Sequence, residues 1–172
     1  IALGYEAGFA LNSGNSNVIL GLQAAKSFTD NLDNVAIGTQ AMFTSNGDGD
    51  KNIAIGYQAM KLGDVSNNSN IAIGTNALED LTSGYANIGI GTAAATNIST
   101  GYRNVAVGAL AMGVGVVTGY DNVAIGTGAL EDITVTSGSI AIGHSAARQH
   151  TTGNANIAIG SGSMGKGIAA VG

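Results

Sequence analysis

The sequence predicts an all-β fold, a parallel β-solenoid or β-roll of about ten 17–18-residue coils. Three observations predict it. A short aliphatic segment ending in Gly, in most copies (Val/Ile)-Ala-(Val/Ile)-Gly, recurs ten times, the recurrences are spaced by 17 or 18 residues, and no stretch sustains the 3.6-residue periodicity of a helix. A unit of that length holds one short strand and its turns but not a strand plus a helix. Equivalent strands then stack in parallel at about 4.7–4.9 Å, so ten coils make a rod of roughly 45–50 Å.

Aligned on one glycine, the copies begin Ile1-Ala2-Leu3-Gly4, Val18-Ile19-Leu20-Gly21, Val35-Ala36-Ile37-Gly38, Ile53-Ala54-Ile55-Gly56 and Ile71-Ala72-Ile73-Gly74. They continue with Ile88-Gly89-Ile90-Gly91, Val105-Ala106-Val107-Gly108, Val123-Ala124-Ile125-Gly126, Ile140-Ala141-Ile142-Gly143 and Ile157-Ala158-Ile159-Gly160. Seven residues before the glycine stands Gly14, Asn31, Gly49, Asn67, Gly84, Gly101, Gly119, Thr136 or Gly153, a column read as a tight turn in left-handed backbone. Four before it stands Asn in nearly every copy, from Asn17 to Asn156, with Ser139 as the exception. Three and four after it come a small and then usually a larger apolar residue, as in Ala41-Met42, Ala77-Leu78 and Ala129-Leu130. One unit therefore reads turn, β-branched strand, Gly bend, second apolar stretch, polar loop.

Alternation along the strand gives two ladders. The bulky one, with Val35, Ile37, Ile53, Ile55, Ile71, Ile73, Val123 and Ile125, is expected to fill the coil interior. The small one, with Ala36, Ala54, Ala72, Gly89, Ala106, Ala124, Ala141 and Ala158 and with Ile19 as its one large member, carries no Thr, Ser, Lys or Glu such as a solvated strand face shows. Close packing of identical chains along this ladder, best as a homotrimer, explains it; cover by a loop of the same chain is the competing explanation. The Asn column on the small-residue side is expected to form stacked amide ladders.

Composition excludes several classes. Among 172 residues, 28 are Gly, 10% are charged, 5% are aromatic, and Pro, Cys and Trp are absent. That is too little glycine for collagen and too apolar for wholesale disorder. No apolar run reaches the length of a membrane-spanning helix, and no disulfide or thiolate metal site can form. A net charge of -5 argues against a nucleic-acid surface. Residues 1–164 form the array and 165–172 a register break or the start of a next segment. Because the chain starts inside a repeat at Ile1, it reads as a piece of a longer polypeptide.

The unit Asn-(Val/Ile)-Ala-Ile-Gly-x-x-Ala resembles the head repeats of YadA-type trimeric autotransporter adhesins. Ile53-Ala-Ile-Gly-Tyr-Gln-Ala-Met60 and Thr100-Gly-Tyr-Arg-Asn-Val-Ala-Val-Gly108 look closer still to the repeat regions of phage tail fibres. The resemblance covers essentially the whole chain. It implies a left-handed, homotrimeric β-roll in a virion fibre or on a cell surface, carrying or contributing to attachment. Its partners would be copies of itself, other fibre segments and a surface receptor or glycan. The 17–18-residue repeat is longer than in most YadA-type heads and favours the tail-fibre version.

Motifs that carry chemistry are few. Gly160-Ser-Gly-Ser-Met-Gly165-Lys166 imitates a phosphate loop, but Gly167 stands where Ser or Thr would ligate Mg²⁺, and Gly160 is the repeat glycine. Asp48 and Asp50 alternate as a hard-cation loop would, and equally as solvated turn formers. Tyr85, Tyr102 and Tyr120 share one position in three consecutive coils; they are candidate receptor contacts, or rings that shield a turn edge by packing on one another. His144 and His150 form no metal or triad pattern. No cofactor and no enzymatic activity is expected. A left-handed β-helix acyltransferase would need its hexapeptide three times per coil, and an ice-binding solenoid would need Thr39, Thr75, Thr92 and Thr127 uninterrupted by Tyr57, Ala109 and His144.

Overall fold

The computed structural model describes residues 1–44, 49–62, 68–149 and 152–164. Each repeat contributes one strand: β1 (Ala2–Leu3), β2 (Val18–Leu20), β3 (Val35–Ile37), β4 (Ile53–Ile55), β5 (Ile71–Ile73), β6 (Ile88–Ile90), β7 (Val105–Val107), β8 (Val123–Ile125), β9 (Ile140–Ile142) and β10 (Ile157–Ile159). The ten make one parallel sheet in chain order, with each residue paired to its repeat equivalent, such as Ala36 with Ala54 and Ile55 with Ile73. The fold is an all-β solenoid, and no described residue is helical.

Why the chain coils at this period is visible in its corners. In the coil around Gly108, Arg103 (φ 54°), Leu110 (φ 57°) and Met112 (φ 51°) are all left-handed, and the same three places are left-handed in most other coils. Each such non-glycine corner costs roughly 1–2 kcal/mol. Stacking repays it, because each corner N–H donates to the next or previous coil, as Arg103 N does to Tyr85 O at 3.0 Å and Met112 N to Ala129 O at 3.0 Å. The repeat glycines adopt φ between 118° and 141°, a region closed to side chains. A Cβ on Gly74 would also lie 2.5 Å from the carbonyl oxygen of Gly91 in the coil below.

The glycines seven before the repeat glycine have a different cause from the one expected. Gly14, Gly84, Gly101 and Gly119 are not left-handed, whereas Gly153 has φ 105°. Their Cβ would press on the backbone of the next coil, at 2.6 Å from Gly119 O in the case of Gly101. Close approach, not turn conformation, selects glycine there.

The two strand ladders face opposite to expectation. Ala36, Ala54, Ala72, Ala106, Ala124 and Ala141 are fully buried inside the coil, as is Ala158 to within 2%, and Gly89 is buried with them. A Cβ on Gly89 would touch Leu78 Cγ at 3.0 Å, which shows what the small ladder packs against: the second apolar stretch of the same chain. Val35, Ile37, Ile53, Ile55, Ile71 and Val123 are only half-buried, and Ile73 and Ile125 are exposed. The coil is too thin for two facing rows of branched side chains. Small strand residues let the opposite wall approach, and the space is filled by Met42, Met60, Leu78, Met112 and Leu130, with Phe28, Leu81, Ile98, Val117 and Ile133 buried in the same core. The small ladder is therefore coil core and cannot be an interface; cover by the same chain is what the structure shows.

Candidate functional site

Inverting the ladders leaves an apolar face outside. Two columns of Val, Ile and Leu, one on either side of the buried Ala, run from Ile1 and Leu3 to Ile157 and Ile159 without a charged or polar residue. Nine strand spacings make this face about 43 Å long. Its mid-rod members are 37–40% exposed at Ile73, Ile90, Ile125 and Ile142.

One border of the face is held by the Asn column. Asn104 Oδ1 accepts the backbone N–H of Asn122 at 3.1 Å, and Asn104 Nδ2 donates to Gly119 O at 2.9 Å. The same two bonds recur from coil to coil: Asn87 Oδ1 accepts from Asn104 N at 3.0 Å, and Asn87 Nδ2 donates to Gly101 O at 2.8 Å. These amides are buried with the Ala ladder, and the expected amide stack is present. Its polar demand is met only inside the coil, which helps fix the inward side of the strand. Where Ser139 replaces Asn, its Oγ still accepts from Asn156 N at 3.2 Å.

Outside that border lie Tyr85, Tyr102 and Tyr120. Their rings stack in parallel with centroids 4.9 Å apart at both steps. The Arg103 guanidinium lies 4.9 Å over the Tyr102 ring and pairs with Asp121 through two bonds of 2.7 Å. The rings thus cover one another's faces, as the turn-shielding reading expects, and the pair neutralises the charges beside them.

The opposite border carries a feature the sequence reading missed. Gln23 Nε2 donates to Glu6 Oε2 (2.8 Å), Gln40 Nε2 to Gln23 Oε1 (3.1 Å) and Gln58 Nε2 to Gln40 Oε1 (2.8 Å). Asn76 Nδ2 extends this ladder toward Gln58 Oε1 at 3.4 Å and bonds Glu79 Oε2. The signal was present, since all five stand two residues after a repeat glycine. Lys26 and Gln23, both bonded to Glu6, hold its carboxyl below the usual range.

The remaining candidates do not converge. Asp48, His150 and Lys166 lie outside the described residues. Asp50 Oδ1 accepts the N–H of Leu32 at 2.7 Å, a turn role. Among the described residues no three metal-ligating side chains come together, and no helix is long and apolar enough to cross a membrane. His144 is exposed on the rod surface beside the face.

No protein-family model matches this chain, and no curated protein or solved structure does either. Its distinguishing surface is then the outward ladder itself. A flat, uncharged row of branched side chains offers burial and shape, and no titratable group.

Proposed function

We propose that the chain is a rigid segment of an attachment fibre, a phage tail fibre by its repeat, built as a homotrimer around the outward Val/Ile face. The observation that carries this reading is that face. Single chains rarely leave contiguous apolar surface beyond a few hundred Å² uncovered, and here two aliphatic columns run the length of the rod. Burying the exposed part of each Ile contributes about 1 kcal/mol, and the contribution repeats at every coil. Three chains with the axis parallel to the rod turn all these columns toward one another and leave the charged loops outside, where the acidic balance belongs. The stacked Asn, Gln and backbone bonds keep the rod stiff, as a spacer between a particle and its receptor requires. The longer repeat favours a virion over a bacterial trimeric adhesin head, the second reading, and either places the rod outside a cell.

Electron microscopy of the purified chain tests the proposal. Straight thin rods about 43 Å long with three-fold cross-sections are expected. Single unassociated chains, or sheets associating without limit, would contradict it.

A further inference from the structure

A ladder that repeats every strand has a problem of register. Sliding one copy past another by one coil, about 4.8 Å, leaves the Val/Ile face nearly unchanged, so the apolar columns alone cannot fix the axial alignment of a trimer. Something aperiodic must do so, and the two borders of the face are aperiodic.

Where the first border carries Tyr, the second carries a short or aliphatic residue in the same coil: Tyr85 goes with Ala93, Tyr102 with Leu110 and Tyr120 with Gly128. Where the second border carries a long amide, the first is smaller: Gln23 goes with Asn15, Gln40 with Leu32 and Gln58 with Asp50. Among the described residues no contact within one chain explains the match. The rings stack on rings and the amides bond to amides, each border along itself. In a parallel three-fold assembly, equal coils sit at equal height, and the first border of one chain meets the second border of the next. Bulk on one side then requires space on the other.

We infer that the Tyr85–Tyr102–Tyr120 stack of one copy packs over the Ala93–Leu110–Gly128 strip of its neighbour and fixes the register of the trimer. The inference rests on the trimeric reading and names which surfaces of the copies meet. Slip toward the first coils brings the rings onto Asn76, then Gln58 and, at three coils, Gln40. Slip the other way meets only Leu110, Gly128 and Ser145, but slips around a closed ring sum to zero, so any slipped trimer includes an interface slipped the first way. The Arg103–Asp121 pair, neutralised within its own chain, lets the tyrosine border approach without an unpaired charge.

The chain has no cysteine, so disulfide trapping tests the contact directly. Tyr102→Cys combined with Leu110→Cys is expected to give covalent trimers on a denaturing gel after mild oxidation. Tyr102→Cys with Gln58→Cys, three coils or about 14 Å out of level, exceeds the ~7 Å Cα reach of a disulfide and should stay unlinked. If the reduced protein weighs three chains and the in-level pair does not link, the border contact is wrong while the trimer stands. A reduced mass of one or two chains would overturn both. Equal linking of the two pairs would overturn the register. Ala93→Gln, which leaves the stack untouched and gives this left-handed corner the residue found at Gln23, is expected to weaken association at least tenfold; unchanged association would contradict the contact.

Discussion

Replacing Asn104 with Ala removes one rung of the buried amide ladder, and the structure gives the size of the effect. Asn104 Oδ1 accepts from both the backbone N–H and the Nδ2 of Asn122, at 3.1 and 3.0 Å, and its own Nδ2 donates to Gly119 O at 2.9 Å. All these groups are inside the coil, where water cannot replace the lost partner. An orphaned buried donor or acceptor costs about 1–3 kcal/mol, so losing the partners of Asn122 N and Gly119 O should destabilise by about 2–6 kcal/mol. Asn104→Ser keeps an acceptor in the way Ser139 does for Asn156 N and is expected to lose roughly half as much. Urea unfolding followed by far-UV circular dichroism measures the difference, and hydrogen exchange at the Asn122 amide localises it. A loss below ~0.5 kcal/mol for the alanine variant, with Asn122 still protected, would refute the inward Asn side and with it the orientation of the strand.

Three further outcomes follow from individual residues. Gly74→Ala places a methyl group at φ 136° and 2.5 Å from Gly91 O, and it should cost more than ~3 kcal/mol or abolish folding, read as loss of the sheet signal. Thr136 Oγ1 is buried without a partner, so Thr136→Val should stabilise by about 1 kcal/mol in the same urea assay, and a loss would mean that the hydroxyl is satisfied. Burial, then the neighbouring Glu79, raises the Asp80 carboxyl above its ordinary value, so its charged form disfavours the folded state at neutral pH and the penalty disappears as pH falls through the folded value. Asp80→Asn should therefore raise the melting temperature slightly near pH 7 and leave it unchanged near pH 3.

How far the sequence carries this structure depends on the element. Ten glycines in register located every strand, because a repeat forces equivalent residues to stack, and the same alignment predicted the amide column and the tyrosine stack. The direction of the strand was not legible from its alternation. A period of two reads identically from either side, and bulky residues suggested an interior that the coil is too thin to hold. The decisive clue lay in Asn104 and its equivalents, whose buried amides share a side with Ala106 and its equivalents. Left-handed corners at Ala86, Ala93 and Ala95 carried no signal, because none is Gly or Asn; stacking imposes their conformation. By sequence Gly101 looks like a turn former, whereas the neighbouring coil's carbonyl is what excludes a side chain.

With the Ala and Gly ladder inside the coil, the proposed contact between copies falls on the Val and Ile columns, where it is open to measurement. Sedimentation equilibrium of the wild-type chain beside an Ile73→Lys/Ile90→Lys variant tests it most directly. Both side chains are 37% exposed, so the solenoid tolerates the change while the face does not. The expected result is three chains for the wild type and one for the variant, with the sheet signal retained. A wild type of one chain, or a variant still of three, would contradict the account.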